Sequence, residues 1–280
     1  MSAAESALLV DWNRADENHA DRDRDRRDVL DSDLSARDLK LGAVNLSPNR
    51  RGDRDIRLDL APATFGAGGA EPYAAALRNA DNVLYLRRSR DGGLTAAATM
   101  DAGRWSADAD DTDQRLLDGL TGPVLDIGCG PGRMVRAAMD RGLSALGIDV
   151  SPTAVRIAVD AGLSVLKRSV FDPMPLEGGW AGALLVDGNI GIGGDVTALL
   201  TRCAELLAPR GALLVEVSHD PSRNERYDGR LEDASGLLSD VFPWAEVGVD
   251  ALAGHAADAG LRIDHDWRLD GRWFARLLHA

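Results

Sequence analysis

The chain has 280 residues, 45% hydrophobic and 28% charged, with a formal net charge of −13. That composition suits a soluble globular protein with room for one large domain and an appendage. The acidic balance argues against a nucleic-acid partner, and no run of about 18 apolar residues offers a membrane span.

Residues 11–40 hold ten acidic and seven basic residues, DRDRDRRD at 21–28 among them, with no sustained apolar period. Residues 1–70 are therefore expected to form a charged, mostly disordered arm, with a glycine-rich linker over 58–69. The N-terminal MSAAESALLVDW has neither the basic start nor the long apolar stretch of a signal peptide, so the expected location is cytoplasmic. Order is expected from Pro72, where PYAAALRNA suggests a short helix. NVLYLRRS (82–89) and GLTAAAT (93–99) read as strands joined through Asp91-Gly92-Gly93. With the helix DTDQRLLDGL (111–120), residues 71–120 form an accessory segment expected to cap the site.

Residues 121–280 read as the main domain. Apolar runs at 123–128, 145–149, 164–169, 182–188 and 211–218 alternate with helices near 132–141, 152–161 and 195–208. Ser151-Pro152 offers an N-cap followed by proline at the first helical position. Pro209-Arg210-Gly211 stops a helix and opens a buried strand. Strands alternating with helices imply an α/β fold, a doubly wound, mostly parallel sheet covered on both faces. LRIDHDWR (261–268), a turn at 269–271 and RWFARLLHA (272–280) read as a C-terminal antiparallel hairpin.

The densest signal is VLDIGCGPGR (124–133): a strand, then Gly128, Gly130 and Gly132, then a helix. Glycines remove side chains where the backbone turns sharply or approaches a ligand, and a helix N-terminus favours that ligand further. Asp149, ending the next strand, offers a carboxylate for a ribose diol. A dinucleotide-binding loop would read GxGxxG, whereas this one is GxGxG with Pro131 inside it, which disfavours a nicotinamide oxidoreductase. The two cysteines, Cys129 and Cys203, stand apart, so no metal site or disulfide is expected.

These segments resemble the class I S-adenosylmethionine-dependent methyltransferases, whose Rossmann-like sheet has seven strands and ends in an antiparallel pair. VLDIGCGPGR is similar to their first motif, GIDVSP (147–152) to the second and SVFDPMP (169–175) to the third. The resemblance implies S-adenosylmethionine as cofactor. It places Gly128, Cys129, Gly130 and Gly132 along the methionine part, and Asp126 at its amino group. Asp149 would hold the ribose, Val150 would lie against the adenine, and Phe171 and Asp172 would flank the adenine edge. Cys129 itself is expected to be a small loop filler rather than a nucleophile.

For the acceptor side, His219 is the favoured general base because imidazole titrates near neutrality. Asp187 is a second candidate, either catalytic or at the cofactor. Asn189, Arg223 and Tyr227 are candidate substrate contacts, with Arg226 and Arg230 nearby. They lie in or beside 221–248, a segment long enough to be read as a functional loop. The expected acceptor is a small molecule, methylated on oxygen, nitrogen or carbon, and the expected assembly is a monomer or homodimer. The Asn/Asp-Pro-Pro-aromatic signature of many amino methyltransferases is absent. One other class remains open, an inert cofactor-binding or regulatory protein; an aminopropyl transferase has a similar fold but would need an acidic tetrad suited to a polyamine, which is not found. Asp149→Ala is expected to abolish cofactor binding and leave the fold intact.

Overall fold

The computed structural model describes residues 64–66, 72–78, 83–90 and 93–280. Apart from residues 64–66, the arm and linker expected over 1–70 lie outside this range. Among the described residues there are two sheets, one of seven strands and one of four. No helix among them is long and apolar enough to cross a membrane.

The larger sheet is the one expected. β3 (Val124–Ile127), β4 (Ala145–Asp149), β5 (Val165–Lys167), β6 (Trp180–Leu185) and β7 (Leu207–Val217) run parallel. β11 (Arg272–His279) lies antiparallel between β7 and β10 (Leu261–Leu269), completing the order β10-β11-β7-β6-β3-β4-β5. β3 and β4 are buried along their whole length. That double-sided burial is why they read as unbroken apolar runs. Helices α4 (Arg133–Asp140), α5 (Pro152–Asp160) and α6 (Val196–Leu206) pack against these strands. The Ser151 side chain caps α5 as expected, accepting from Ala154 N. β7 begins at Leu207, ahead of the expected Gly211, because Leu207 already pairs with Trp180. The chain starts at the centre with β3, steps outward to β5, then crosses back to β6. The loops after β3 and β6 therefore part at a topological switch point, where α/β sheets form ligand crevices.

The smaller sheet has the order β2-β1-β8-β9, antiparallel throughout. The expected accessory strands supply β1 (Val83–Arg90) and β2 (Gly93–Asp101). β8 (Asn224–Glu232) and β9 (Phe242–Val247) come from the segment expected to be a loop. This corrects the reading of 221–248. β8 alternates between exposed and sheltered positions, but its sheltered side carries Glu225 and Tyr227 before Gly229 and Leu231. Its period of two is written in polar residues, so no hydrophobic alternation marks it. Helix α1 (Pro72–Arg78) packs against β1, β8 and α5. Tyr73, Leu84, Leu231, Phe242 and Trp244 form a satellite core there. Each fully buried Leu or Phe contributes about 1.5–3 kcal/mol to holding this layer in place. Two short helices, α2 (Ala102–Ser106) and α3 (Asp111–Leu116), connect β2 to the main sheet. Helix α7 (Val249–Asp258) leads from β9 into β10.

Candidate active site

The loop leaving β3 needs glycine for two separate reasons. Gly128, Gly130 and Gly132 all have positive φ, at 72°, 54° and 94°. A Cβ on Gly128 would also lie 2.7 Å from Asn189 Nδ2, and one on Gly132 would lie 2.4 Å from Leu163 Cδ1. The Asn189 amide donates to the carbonyls of Ile127 (2.8 Å) and Gly128 (3.0 Å), joining the two loops that part at the switch point. On the other side, Asp149 fastens the loop to the tip of β4. Its Oδ2 accepts from Gly130 N at 2.9 Å and its Oδ1 from Ser151 N at 2.7 Å. Each carboxylate oxygen retains further acceptor capacity.

A cavity opens over this loop. Asp126, Gly128, Cys129, Gly130, Asp149, Val150, Val170 and Phe171 border it. Tyr73 of α1 and Trp105 of α2 line it from the accessory elements, their rings edge to face at 5.5 Å. Asp126 is 3% exposed, and its Oδ1 has no hydrogen-bond partner. Burial pushes its carboxyl up to about 8, with the charges of Asp187 and Asp149 adding to the effect. Burial also raises Asp149 to about 6, against the lowering pull of the Ser151 and Gly130 amides. The Tyr73 phenol is held well above its ordinary range, chiefly by burial and then by the charge on Asp149.

Beside the cavity lies a network of arginines and carboxylates. Arg133, in the first turn of α4, is buried and pairs with Asp113 and Asp187. Arg272 of β11 binds Asp113 Oδ1 (2.7 Å), Glu216 (2.7 Å) and Asp187 (3.3 Å). Arg104 reaches Asp113 at 3.4 Å. Arg104 also pairs with Asp110, the cap of α3, at 3.0 Å, so three guanidinium groups face four carboxylates drawn from α3 and its cap, β7 and the loop after β6. Asp113, fully buried, is tolerable there because it is paired on both oxygens. Asp187 sits at a φ of 55°, and its own N–H donates to Glu216 at 2.7 Å.

A second cavity lies between the small sheet and the end of β7. It shares Met100, Trp105, Asp187 and Trp244 with the first. His219, exposed, and Arg223 border it.

Residues 102–266 match the family described as methyltransferase domain. This chain belongs to that family. No curated protein matches the methyltransferase in sequence. Among solved structures it is similar to an S-adenosylmethionine-dependent methyltransferase from Bacteroides fragilis in complex with S-adenosyl-L-homocysteine. That likeness has a TM-score of 0.62 at 21% identity, covering 78% of this chain and 98% of the other. The CcbJ methyltransferase of Streptomyces caelestis follows with a TM-score of 0.49 at 14% identity, covering 63% and 92% of the two chains. These likenesses concern the fold.

In the methyltransferase, the first cavity brings together Asp126, Gly128, Cys129, Gly130, Asp149, Val150, Phe171, Asp187 and Asn189 of the residues singled out from the sequence. Cys129 fills the space over Gly147, where an added Cβ would meet its Sγ at 2.6 Å, and burial raises its thiol well above the ordinary range. It is a filler, not a thiolate. Gly132 lies behind the loop against Leu163 and does not border the cavity. Asp172 also departs from expectation. It is exposed, its carboxylate accepts from Ser169 N at 3.0 Å, and its carbonyl accepts from Arg202 at 2.9 Å, so it is held away from the cavity.

On the acceptor side, Tyr227 borders neither cavity. Its hydroxyl donates to Glu246 at 2.6 Å, and Arg88 covers its ring at 4.4 Å. Arg223 borders the second cavity but is bound by Glu246 (2.7 Å) and Glu225 (3.4 Å). Arg226 is exposed, and Arg230 donates to the Ser239 carbonyl at 2.7 Å. The sequence reading missed Tyr73, Trp105 and the whole Arg133–Asp113–Arg272 network. An arginine directly after the glycine loop, at the start of a helix whose neighbours are apolar, was the one local sign of it.

Proposed function

We propose that this methyltransferase uses S-adenosylmethionine and methylates a small organic acceptor. One observation carries the reading. The cavity over the glycine loop holds a buried carboxylate with an unpartnered oxygen, Asp126, and a second carboxylate with spare acceptor capacity, Asp149. That set of acceptors fits a nucleoside bearing an ammonium group. Asp149 takes the ribose hydroxyls while still bracing the loop. Val150 and Val170 offer apolar surfaces for the adenine, and Phe171, 47% exposed at the mouth, closes over it. Asp126 takes the ammonium, whose charge offsets the cost of ionising a buried acid.

When bound, the cofactor supplies an electrophilic sulfonium methyl group. The protein's task is then alignment and exclusion of water. Tyr73 and Trp105 do the latter, so residues 71–120 and the inserted strands β8 and β9 act together as the cap. The acceptor occupies the second cavity, its apolar body between Trp105 and Trp244, and reaches the first cavity beside Asp187. Asp187 is held by arginines, which suits it to fix the local field. His219, at the rim, is left as the proton acceptor for a hydroxyl or ammonium substrate. Arg104, Arg223 and Arg272 are already neutralised by carboxylates, which favours an uncharged or cationic acceptor over an anionic one.

Calorimetric titration with S-adenosylhomocysteine tests the cofactor reading directly, and absence of binding refutes it. Incubation with S-adenosylmethionine and a metabolite extract, followed by mass spectrometry, should yield products heavier by one CH2. Binding with no such product would favour an inert cofactor-binding protein.

A further inference from the structure

The walls of the second cavity hold more carboxylates than cations. Asp101, Asp187, Glu216, Asp220 and Glu246 border it, against Arg104, Arg223 and Arg272. Each of those arginines is paired, Arg104 with Asp110 (3.0 Å), Arg223 with Glu246 (2.7 Å) and Arg272 with Glu216 (2.7 Å). Asp101 and Asp220 are held differently. Asp101 Oδ1 accepts from Gly103 N (3.0 Å) and Arg104 N (3.3 Å), capping α2. Asp220 Oδ1 accepts from Ser222 N (3.0 Å) and Ser222 Oγ (2.8 Å). Each is oriented through one oxygen by its own turn, and neither joins an ion pair among the described residues. Their second oxygens keep acceptor capacity for a ligand.

The excess extends behind the wall. Arg104, Arg133 and Arg272 meet Asp110, Asp113, Asp187 and Glu216, while Arg88 and Arg223 meet Glu225 and Glu246. With Asp101 and Asp220 included, these surroundings carry three more carboxylates than guanidinium groups. An anion would find no uncommitted arginine here, whereas a cation is attracted. Trp105 and Trp244 also border the cavity, and indole rings attract cations over their faces. The chain's net charge of −13 adds a longer-range pull.

We infer that the acceptor is an amine, which enters the second cavity as its ammonium cation. The inference rests on the placement of the acceptor in that cavity and narrows it to one substrate class. His219 borders the same space. Its imidazole takes a proton from the ammonium, and the freed lone pair on nitrogen attacks the sulfonium methyl. The carbon–sulfur bond breaks, its electron pair staying on sulfur in S-adenosylhomocysteine. The product leaves as the methylated ammonium, and His219 returns its proton to solvent. Asp101 and Asp220 serve recognition.

The test splits a metabolite extract by cation exchange at pH 7 and incubates each fraction with the full chain and S-adenosylmethionine. Only the retained fraction should give a product heavier by one CH2, and fragmentation should place the added carbon on nitrogen. Product from the unretained fraction, or a methyl group on oxygen or carbon, overturns the inference. With the retained acceptor, Asp101→Asn combined with Asp220→Asn should raise KM about two- to thirtyfold, since an exposed ion pair is worth up to about fivefold. Asparagine keeps the turn hydrogen bonds. Added salt should raise the wild-type KM and move that of the double variant much less. A merely structural role would weaken S-adenosylhomocysteine binding too and leave the salt dependence intact; that result, or an unchanged KM, overturns the inference. If S-adenosylhomocysteine binds and neither fraction gives product, the reading of a small-molecule acceptor falls, and this inference with it.

Discussion

Asp126→Asn should make the ligand-free protein more stable while crippling it as a receptor for the cofactor. The carboxyl is raised from 3.8 to about 8, mainly by burial. In the unfolded chain it ionises at its ordinary value. Between those two values the folded state holds a proton that the unfolded state has released, so stability falls as pH rises from about 4 to about 8. At pH 7 the gap from 3.8 is about 3 units, and at 1.36 kcal/mol per unit the ceiling is about 4 kcal/mol. Water penetration and relaxation bring a realistic figure to about 2–4 kcal/mol. Asparagine keeps the shape and has no charge to suppress. The variant should therefore melt roughly 5–15 °C higher than the wild type at pH 7, and the difference should vanish near pH 4. Its affinity for S-adenosylhomocysteine should drop about ten- to a hundredfold through loss of one charge-assisted contact. Calorimetric melting across that pH range, with titrations at pH 7, measures both. A variant no more stable at pH 7 than at pH 4, relative to wild type, refutes the burial argument. Unchanged affinity refutes the ammonium contact.

Two further substitutions separate neighbouring roles. Asp149→Ala removes the acceptors for two buried amides, Gly130 N and Ser151 N. It should therefore cost about 2–6 kcal/mol in stability as well as cofactor binding, contrary to the sequence-based expectation of an intact fold; a melting curve matching the wild type would show that the loop does not depend on this brace. Asp172→Ala should leave S-adenosylhomocysteine affinity within about twofold, whereas Phe171→Ala should weaken it about tenfold or more. The reverse ranking in calorimetric titrations would put Asp172, and not Phe171, against the adenine.

The parallel sheet and the glycine loop were readable because their physical demands have few alternative solutions. Strands buried on both faces must be apolar throughout, and residues 128–132 need positive φ at three positions. Asp149 was legible from its place at the end of β4. The accessory layer was harder. β1 and β2 showed as strands, but β8 did not, since its sheltered face is built from Glu225, paired with Arg88 of β1, and Tyr227, covered by Arg88 and bonded to Glu246 of β9. Asp113 and Arg272 meet across 159 residues of the chain, and nothing local in either segment announces a partner. Asp172 failed for the opposite reason: its neighbourhood matched a motif, yet Ser169 N and Arg202 decide which way the turn faces.

The small sheet joins two stretches made at very different times. Leu86 pairs with Leu231, so β1 and β2 wait for most of the nascent chain before the open edge of β1 is filled. Contacts of such separation slow folding, and an unpaired edge carrying Leu84 and Leu86 is the kind of surface that chaperones shield or that aggregates. The nucleotide-binding sheet has only near neighbours to find between β3 and β7 and is free to assemble first. The roof over the site therefore closes only after the strands from β3 to β7 are made, and losing β1 and β2 would leave β8 as a bare border strand.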